Sequence, residues 1–496
     1  MTDTNAPESL MSARARDFAT APHGAFVGGS HVDAAGAAIA DIDPSTGRVI
    51  THIAESGADV VDAAVRSSTE AFEGDWGAML PGRREAALHR LADLVEKHAG
   101  ELAEYDALEG GKPVAYVEAV DLPLAVEQFR YYAGWPTKLT GSVVPVDTPD
   151  SHVYTRRVPL GVVAAVTPWN FPLCQAAIKL APALAAGNTV VLKPSELTSL
   201  SALRLAELAI EAGLPPGTVN VVTGSGAVTG DALVTHPQIA KISFTGSEKV
   251  GRHLGGRAGA ALKHISLELG GKNPHVIFAD ADIAKAAAAA ATTAYFYSGQ
   301  VCFSGSRLMV QREVLDEVLD TVRAHAQSLV IGPGLDRSST MGPLASAAHR
   351  DKVESYLDTV TGTGAGVAFG GSRIAGDGFF LEPTAVVNPA DTHPVVADEI
   401  FGPVLVVQPF DTVEEVLPRA NDTRYGLTAG VWTSDVRKAH AFSQRLQAGL
   451  VWVNTYADYN AAAAFGGFKS SGHGKDCGPE GLDKYLQTQT IWMSLS

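Results

Sequence analysis

Three side chains in this sequence are of types that together can attack a carbonyl carbon and carry the reaction on. Cys302 lies among small and polar neighbours in YSGQVCFSGSR, residues 297–307. A thiol with its ordinary pKa of about 8.5 is only a few per cent thiolate at neutral pH, so a nucleophilic cysteine needs a cation or a helix N-terminus, and often a base. Glu268, in LELGGKNP (residues 267–274), ends an apolar strand before a Gly-Gly turn, where apolar surroundings raise a carboxyl group and make it a usable base. Asn170, in TPWNFPL (residues 167–173), stands between the strand-like GVVAAV and a helix. A neutral amide there can donate to a developing oxyanion, a contribution of about 3 kcal/mol. Taken singly, each has an ordinary alternative: an inert buried thiol, a solvated glutamate at a turn, a helix-capping asparagine.

A second group of residues points to a nucleotide. VVLKPSE, residues 190–196, ends a strand with Lys193 and places Glu196 after a Pro-Ser turn. An acidic residue at such a strand end hydrogen-bonds the ribose hydroxyls of NAD and repels the additional phosphate of NADP. GSGAVTG (residues 224–230) is glycine-rich but departs from GxGxxG, which makes it a weak phosphate-loop signal. FTGSEKVG (residues 244–251) is better placed, because Gly246 and Ser247 start a helix whose free N–H groups can meet a pyrophosphate.

These residues need a scaffold, and the sequence describes one. A chain of 496 residues exceeds one hydrophobic core, so two or three domains are expected. Hydrophobic residues at 46% and charged residues at 19% are ordinary globular usage, which excludes a disordered chain and a membrane protein. The formal net charge of −16 disfavours nucleic acid and anionic membranes as partners. The N-terminal MTDTNAPESLMSARARDF carries no apolar run of signal-peptide length, and the three cysteines are too scattered for a disulfide framework or a metal site. The cytoplasm is the expected compartment, and no metal is expected.

Between Tyr154 and Glu268 short β-branched runs alternate with helical patterns, the signature of βαβ units and a doubly wound parallel sheet. From Gly271 onward a second alternating region follows. Residues 83–108 read as helical, and residues 44–82 as turns mixed with short amphipathic pieces. GSVVPVDTPDSHVYTRRVPLG and the C-terminal YLQTQTIWMSL alternate apolar and polar residues, as strands pairing outside the main sheets would. The expected fold is α/β: a Rossmann-like parallel-sheet cofactor domain, a second α/β catalytic domain and a small strand-based oligomerisation element. The expected divisions are residues 1–138 with 160–270 for NAD binding, 271–475 for catalysis, and 139–159 with 476–496 for oligomerisation.

TPWNFPL, KPSE, FTGS, LELGGK, GQVC, EIFGPV and FGGFKSSG occur in the order familiar from the aldehyde dehydrogenase superfamily, which the chain resembles from about residue 25 to its end. The resemblance implies that Cys302 attacks an aldehyde to give a thiohemiacetal, its oxyanion held by Asn170 and the Cys302 N–H. Hydride transfer to the nicotinamide then leaves a thioester, which water activated by Glu268 hydrolyses. It also implies that Lys193 and Glu196 hold the adenosine ribose and Glu399 the nicotinamide ribose, that Phe401 lies beside the nicotinamide, and that Trp169, Gly226, Gly246 and Ser247 belong to the cofactor site. Phe171, Ile178, Val301, Phe303, Tyr459 and Phe465 match positions lining the substrate tunnel. They imply an uncharged hydrophobic aliphatic or aryl aldehyde, unless Arg156, Arg157 or Arg307 reaches the site.

The chain departs from the family pattern in places. Val301 and Phe303 flank the nucleophile where relatives often carry small or polar residues, and Ala464 replaces a proline before FGG. Lys475 and Asp476 replace an Arg-Glu pair, and because Asp476 is one methylene shorter, a proton relay through Lys179 is in doubt. Rival readings are a CoA-acylating enzyme, against which Glu268 argues, a semialdehyde-specific dehydrogenase, and a catalytically silent relative. NADP is the weaker cofactor alternative. Family analogy implies a homotetramer, or else a homodimer.

Overall fold

The computed structural model describes residues 10–33, 37–362 and 364–496. Residues 1–9, with half of the segment in which the sequence shows no leader-like run, lie outside them. Two sheets organise the chain. The centre of the first is five parallel strands: Val162–Val166, Thr189–Lys193, Val219–Val221, Ile239–Thr245 and His264–Glu268. From Val162–Val166 the chain steps outward to Thr189–Lys193 and Val219–Val221, then crosses back to Ile239–Thr245 and His264–Glu268 on the other side. The strand order therefore reverses between Val162–Val166 and Ile239–Thr245, and ligands bind at the carboxyl ends of strands at such a point. Asn170, Gly246, Ser247 and Glu268 all follow or end these strands.

The sequence forms this sheet because runs such as VVAAV, and VVL within TVVLK, are apolar and buried on both faces. Helices Pro81–Lys97, Leu122–Ala133, Pro172–Ala186 and Leu200–Glu211 cover one face, and Ala58–Glu73 and Glu248–Ala260 the other. Pro172–Ala186 is apolar nearly all round and buried except at Gln175, opening with proline and stopping at Gly187 in the left-handed region (φ 97°). Each buried Leu or Val side chain in these layers stabilises the fold by about 1.5–3 kcal/mol.

The second sheet runs in the order Gly366–Phe369, Thr384–Val387, Val404–Phe410, Arg307–Gln311, Pro274–Ile277, Thr428–Trp432 and Leu450–Val453. It is parallel except at its first edge, where Gly366–Phe369 runs antiparallel. Cys302 and Asn273 precede strands of this sheet. The site thus joins the carboxyl ends of one sheet to the amino ends of the other. Ser151–Pro159 and Leu486–Ser494 pair along nine residues as an antiparallel ribbon away from both sheets, with Trp492 56% exposed. Among the described residues no helix is long and apolar enough to cross a membrane.

The expected α/β architecture with a small antiparallel strand element is what the chain adopts. Local readings differ in three places. The stretch 83–108 is two helices, Pro81–Lys97 and Ala99–Gly110, because His98 leaves helical geometry (φ −99°, ψ 17°). Residues 44–82 hold a strand, Arg48–Ala54, and the sixteen-residue helix Ala58–Glu73, whose buried stripe of Val61, Ala64, Val65, Ser68 and Ala71 is helically spaced. The short strand Gly472–His473 pairs with His264–Glu268, so the chain returns to the first sheet just before Asp476.

Candidate active site

Two cavities of about 720 Å³ each meet at a seam formed by Gln175, Thr245, Glu268, Leu269 and Cys302. One is polar in its furnishing, the other largely apolar. The thiol and the carboxylate singled out from the sequence both stand where they join.

Cys302 is half-buried in a loop with costly backbone. Tyr297, Ser298 and Gly299 all have positive φ (47°, 53° and 68°), and non-glycine residues hold such conformations only where their surroundings force them. Here Tyr297 Oη donates to the Gly110 carbonyl at 3.0 Å and Ser298 Oγ to the Gly342 carbonyl at 2.6 Å. Gln300 holds the next turn, its Oε1 accepting from Ala345 N at 2.9 Å. Asn273 Nδ2 donates to the carbonyls of Cys302 and Ser304 at 2.8 and 2.9 Å, while its Oδ1 accepts from Thr428 N at 3.1 Å. Asn273 and Gln300 thus fix the loop that carries Cys302, and neither was singled out from the sequence. Their neutral amides carry no signal until the fold shows what they touch. Asn170 Nδ2 donates to the Gln300 carbonyl at 3.0 Å, and Asn170 lines the same cavity as Cys302.

Burial pushes the Cys302 thiol up to about 12, with the Glu399 and Glu268 carboxylates adding to the shift. The thiol is protonated at neutral pH in this geometry, so attack needs a proton acceptor. Glu268 is 3% exposed, and neither of its oxygens has a hydrogen-bond partner among the described residues. Burial, then the Asp476 carboxylate, raises Glu268 well above the usual range, opposed by Lys179, Lys484 and Lys475. A buried carboxyl group with a raised pKa can act as a general base at pH values where it is ionised.

On the polar side, Trp169, Gly246, Ser247, Glu399 and Phe401 line the cavity with Cys302. Ser247 caps the Glu248–Ala260 helix by accepting from Val250 N, which leaves other first-turn N–H groups for an anion. Glu399 Oε1 accepts from Gly271 N at 3.1 Å, and a Cβ at Gly270 would come within 1.9 Å of the Glu399 carboxylate. Only glycine allows this approach. Burial lifts Glu399 to about 7. Phe401, in the left-handed region (φ 62°), meets Trp169 edge-on at 5.4 Å. His349 and Lys352, not anticipated, line the same cavity; His349 Nε2 donates to the Phe401 carbonyl at 2.7 Å and burial lowers the imidazole to about 4, keeping it neutral. Lys193, Glu196 and Gly226 are not on this wall. Lys193 Nζ donates to the Pro194 carbonyl at 2.9 Å and lies 3.5 Å from the Glu196 carboxylate. The Gly226–Gly230 turn packs beside the Lys193 stem, 3.6 Å from where a Cβ at Gly230 would sit.

On the apolar side, Phe171, Ile178, Phe303, Tyr459 and Phe465 line the wall, with Val120 and Leu124 besides. Val301 does not. It is 3% exposed and packs behind the wall against Phe171, Cys174, Ile178 and Tyr297, because the left-handed turn before it directs its side chain inward. Cys174 reaches the wall, whereas Cys477 is buried with the Tyr459 hydroxyl 2.6 Å from its sulfur. Among the described residues none lining this cavity is Lys or Arg. Arg307 is buried and donates to Gln408 Oε1 and the Arg419 carbonyl at 2.9 Å, Arg157 pairs with Asp483 at 2.8 Å, and Arg156 lies on the outer ribbon.

This electrostatic arrangement predicts a simple labelling result. In Glu399→Gln without nucleotide, iodoacetamide alkylates Cys302 about three- to tenfold faster than in the wild type at pH 8.5, because a carboxylate that holds the thiol up is gone. At pH 5.5, where Glu399 is already protonated, the two rates converge. Peptide mass mapping separates Cys302 from the buried Cys174 and Cys477, and equal rates at pH 8.5 would remove Glu399 from the thiol's environment.

A doubly wound sheet facing a second parallel sheet, with a thiol and a buried carboxylate where a polar and an apolar cavity meet, places the protein in the class of α/β oxidoreductases. The chain belongs to the aldehyde dehydrogenase family, whose sequence profile matches residues 31–491. It is 44% identical over 479 residues to a phenylacetaldehyde dehydrogenase of Pseudomonas fluorescens, covering 95% of each chain. The NAD+ complex of an aldehyde dehydrogenase from Bacillus cereus superposes with a TM-score of 0.96 at 40% identity, covering 98% of this chain and 99% of that one. An indole-3-acetaldehyde dehydrogenase of P. syringae in complex with NAD+ and IAA superposes with a TM-score of 0.94 at 40% identity, covering 97% and 98%.

Proposed function

We propose that the protein oxidises uncharged hydrophobic aldehydes, arylacetaldehydes among them, to carboxylic acids with NAD as hydride acceptor. The observation that carries this reading is the seam: Cys302 and Glu268 each face both a polar and an apolar cavity. The polar cavity suits a dinucleotide. Glu399 can accept from ribose hydroxyls, the Glu248–Ala260 N-terminus can meet phosphate, and Trp169 and Phe401 offer aromatic surface. In this reading Lys193 and Glu196, 3.5 Å apart outside that wall, hold the adenosine ribose, with the Gly226–Gly230 turn beside the Lys193 stem. The partly exposed Glu196 carboxylate disfavours the NADP phosphate. When bound, NAD supplies the hydride acceptor.

The chain's own residues do the rest. Cys302 releases its thiol proton to solvent, the thiolate adds to the aldehyde carbonyl to give a thiohemiacetal, and the oxyanion so formed is met by the Asn170 amide and the Cys302 N–H. After hydride departs, the acyl group remains on Cys302 as a thioester. Glu268 then takes a proton from water, which hydrolyses the thioester, dividing one difficult step into two easier ones. A CoA-acylating enzyme has no use for a base there, and a silent relative no use for the intact set. Residues 1–138 with 160–270 form the cofactor domain in this reading, and 271–475 the catalytic domain. The Ser151–Pro159 and Leu486–Ser494 ribbon leaves free strand edges that a second copy would cover, which supports a homotetramer or a homodimer. The free cysteines suit the reducing cytoplasm.

Substrate class follows from the apolar wall. A carboxylated semialdehyde entering it finds no Lys or Arg among the described lining residues, and the lysines behind the wall are already engaged, Lys179 and Lys484 with Asp476 and Lys475 with the Gly466 carbonyl. Leaving that charge unpaired costs about 2–3 kcal/mol, so phenylacetaldehyde and hexanal are expected to exceed succinic semialdehyde in kcat/KM by about 100-fold. Relatives acting on phenylacetaldehyde and indole-3-acetaldehyde support the aryl case. NADH formation across such a panel checks it, and a preference for the semialdehyde would overturn the substrate reading while leaving the reaction intact.

A further inference from the structure

We propose that Lys484 is a positioning residue for deacylation: it holds the Asp476 carboxylate against Lys179 and so keeps the floor beneath Glu268 net positive. The proposal rests on the reading of Glu268 as the hydrolytic base. Asp476 is 3% exposed and lies on the wall of the apolar cavity with Glu268. Its shortened side chain still reaches Lys179, whose Nζ donates to Oδ2 at 2.8 Å. The other oxygen, Oδ1, accepts from Lys484 Nζ in a short contact. Lys484 is the C-cap residue of the short Gly478–Asp483 helix that follows Asp476 in the chain.

One lysine would suffice to neutralise Asp476. The second makes the difference, because charges at a few ångströms inside protein interact far more strongly than in water. The charged groups facing Glu268 are Asp476, Lys179, Lys484 and Lys475. Lys475 is committed to the Gly466 carbonyl. Lys241 faces Lys484, Lys179 and Asp476, and it and Lys484 lie 5.3 Å from the Tyr485 ring. Tyr132, Tyr459 and Cys477 also face Asp476, and Cys302 faces Glu268. Of these, the two thiols and the phenols of Tyr132, Tyr459 and Tyr485 are held above their ordinary values by burial and stay neutral near pH 7. Removing Lys484 leaves Asp476 with one partner and its repulsion of Glu268 less opposed. Both changes favour the protonated form of Glu268, so the base is lost at a higher pH.

The test uses the full-length enzyme. A stoichiometric pulse of phenylacetaldehyde with NAD loads Cys302, and rapid quench with intact mass follows loss of the acyl group from pH 5.5 to 9, whichever step limits turnover. In Lys484→Met, or Lys484→Gln if the first does not fold, the acid limb of the deacylation rate is expected to rise by about one pH unit. At pH 6.5 the rate falls by about tenfold, at pH 9 it stays within twofold of wild type, and acyl loading is unchanged. Lys484→Arg restores the wild-type profile. A superimposable profile, or a loss equal at every pH that arginine does not rescue, overturns the proposal. Rapid deacylation in Glu268→Gln would instead overturn the reading of the base on which it rests.

Discussion

Cys302→Ser abolishes NADH formation from aldehydes, with turnover reduced by at least about 10³-fold and nucleotide binding retained. A hydroxyl is a far weaker nucleophile than a thiol, and any covalent adduct that did form would be an ester, not the thioester that hydrolyses readily. The substitution exchanges sulfur for oxygen in a loop held by contacts that do not involve the side chain: Asn273 on the Cys302 and Ser304 carbonyls and Gln300 against Ala345. The fold and the polar cavity should therefore persist. Steady-state NADH production together with calorimetric titration of NAD separates the two effects. Substantial turnover in the serine variant would remove covalent catalysis from the scheme, and loss of nucleotide binding would show that the substitution had disturbed the seam itself.

Glu268→Gln has the second largest effect, and it falls on a different step. The amide has nearly the same shape, and the carboxylate it replaces makes no hydrogen bond among the described residues, so little packing is lost. A general base contributes typically about 10²–10⁴-fold. Turnover should fall by that factor while the acyl group still forms on Cys302, giving close to one NADH per subunit and then arrest. Intact mass of the quenched enzyme reads the trapped thioester directly. The pH dependence has a definite sign. Burial raises the Glu268 carboxyl, and the base is the ionised form, so wild-type turnover is retained above that raised pKa and lost as pH falls through it. The glutamine variant lacks this limb. Loss of the first NADH as well would mean that Glu268 is also required to deprotonate the thiol, which burial holds up to about 12.

Much of the scaffold was legible in the sequence because its signal is local. The runs GVVAAV, NTVVLK and KISFTG carry apolar cores, VVAAV, VVL and the Ile and Phe of KISF, because both faces of the first sheet are covered, and their alternation with helices implies parallel strands. The helix Ala58–Glu73 was obscured because its buried face is built mainly from small residues, Ala64, Ser68 and Ala71, beside two valines. Short edge strands such as Gly366–Phe369 carry too few residues for a pattern to be read.

The site divides along similar lines. Sequence by itself determined the fold class and the family resemblance and nominated Cys302, Glu268 and Asn170 as candidates, since reactive groups and strand-end motifs are properties of residue type and spacing. Only the tertiary structure decided which residues work on them from a distance. Asn273 clamps the nucleophile loop from the amino end of another strand, and His349 reaches Phe401 across the polar cavity. Val301, adjacent to the nucleophile, turns away from the pocket, whereas Cys174, far from it in the chain, reaches the wall. The shortened Asp476 still meets Lys179 and gains Lys484. The physical reason is that desolvation and charge pairing depend on distances through space, which the packing of two sheets sets and no local spacing encodes.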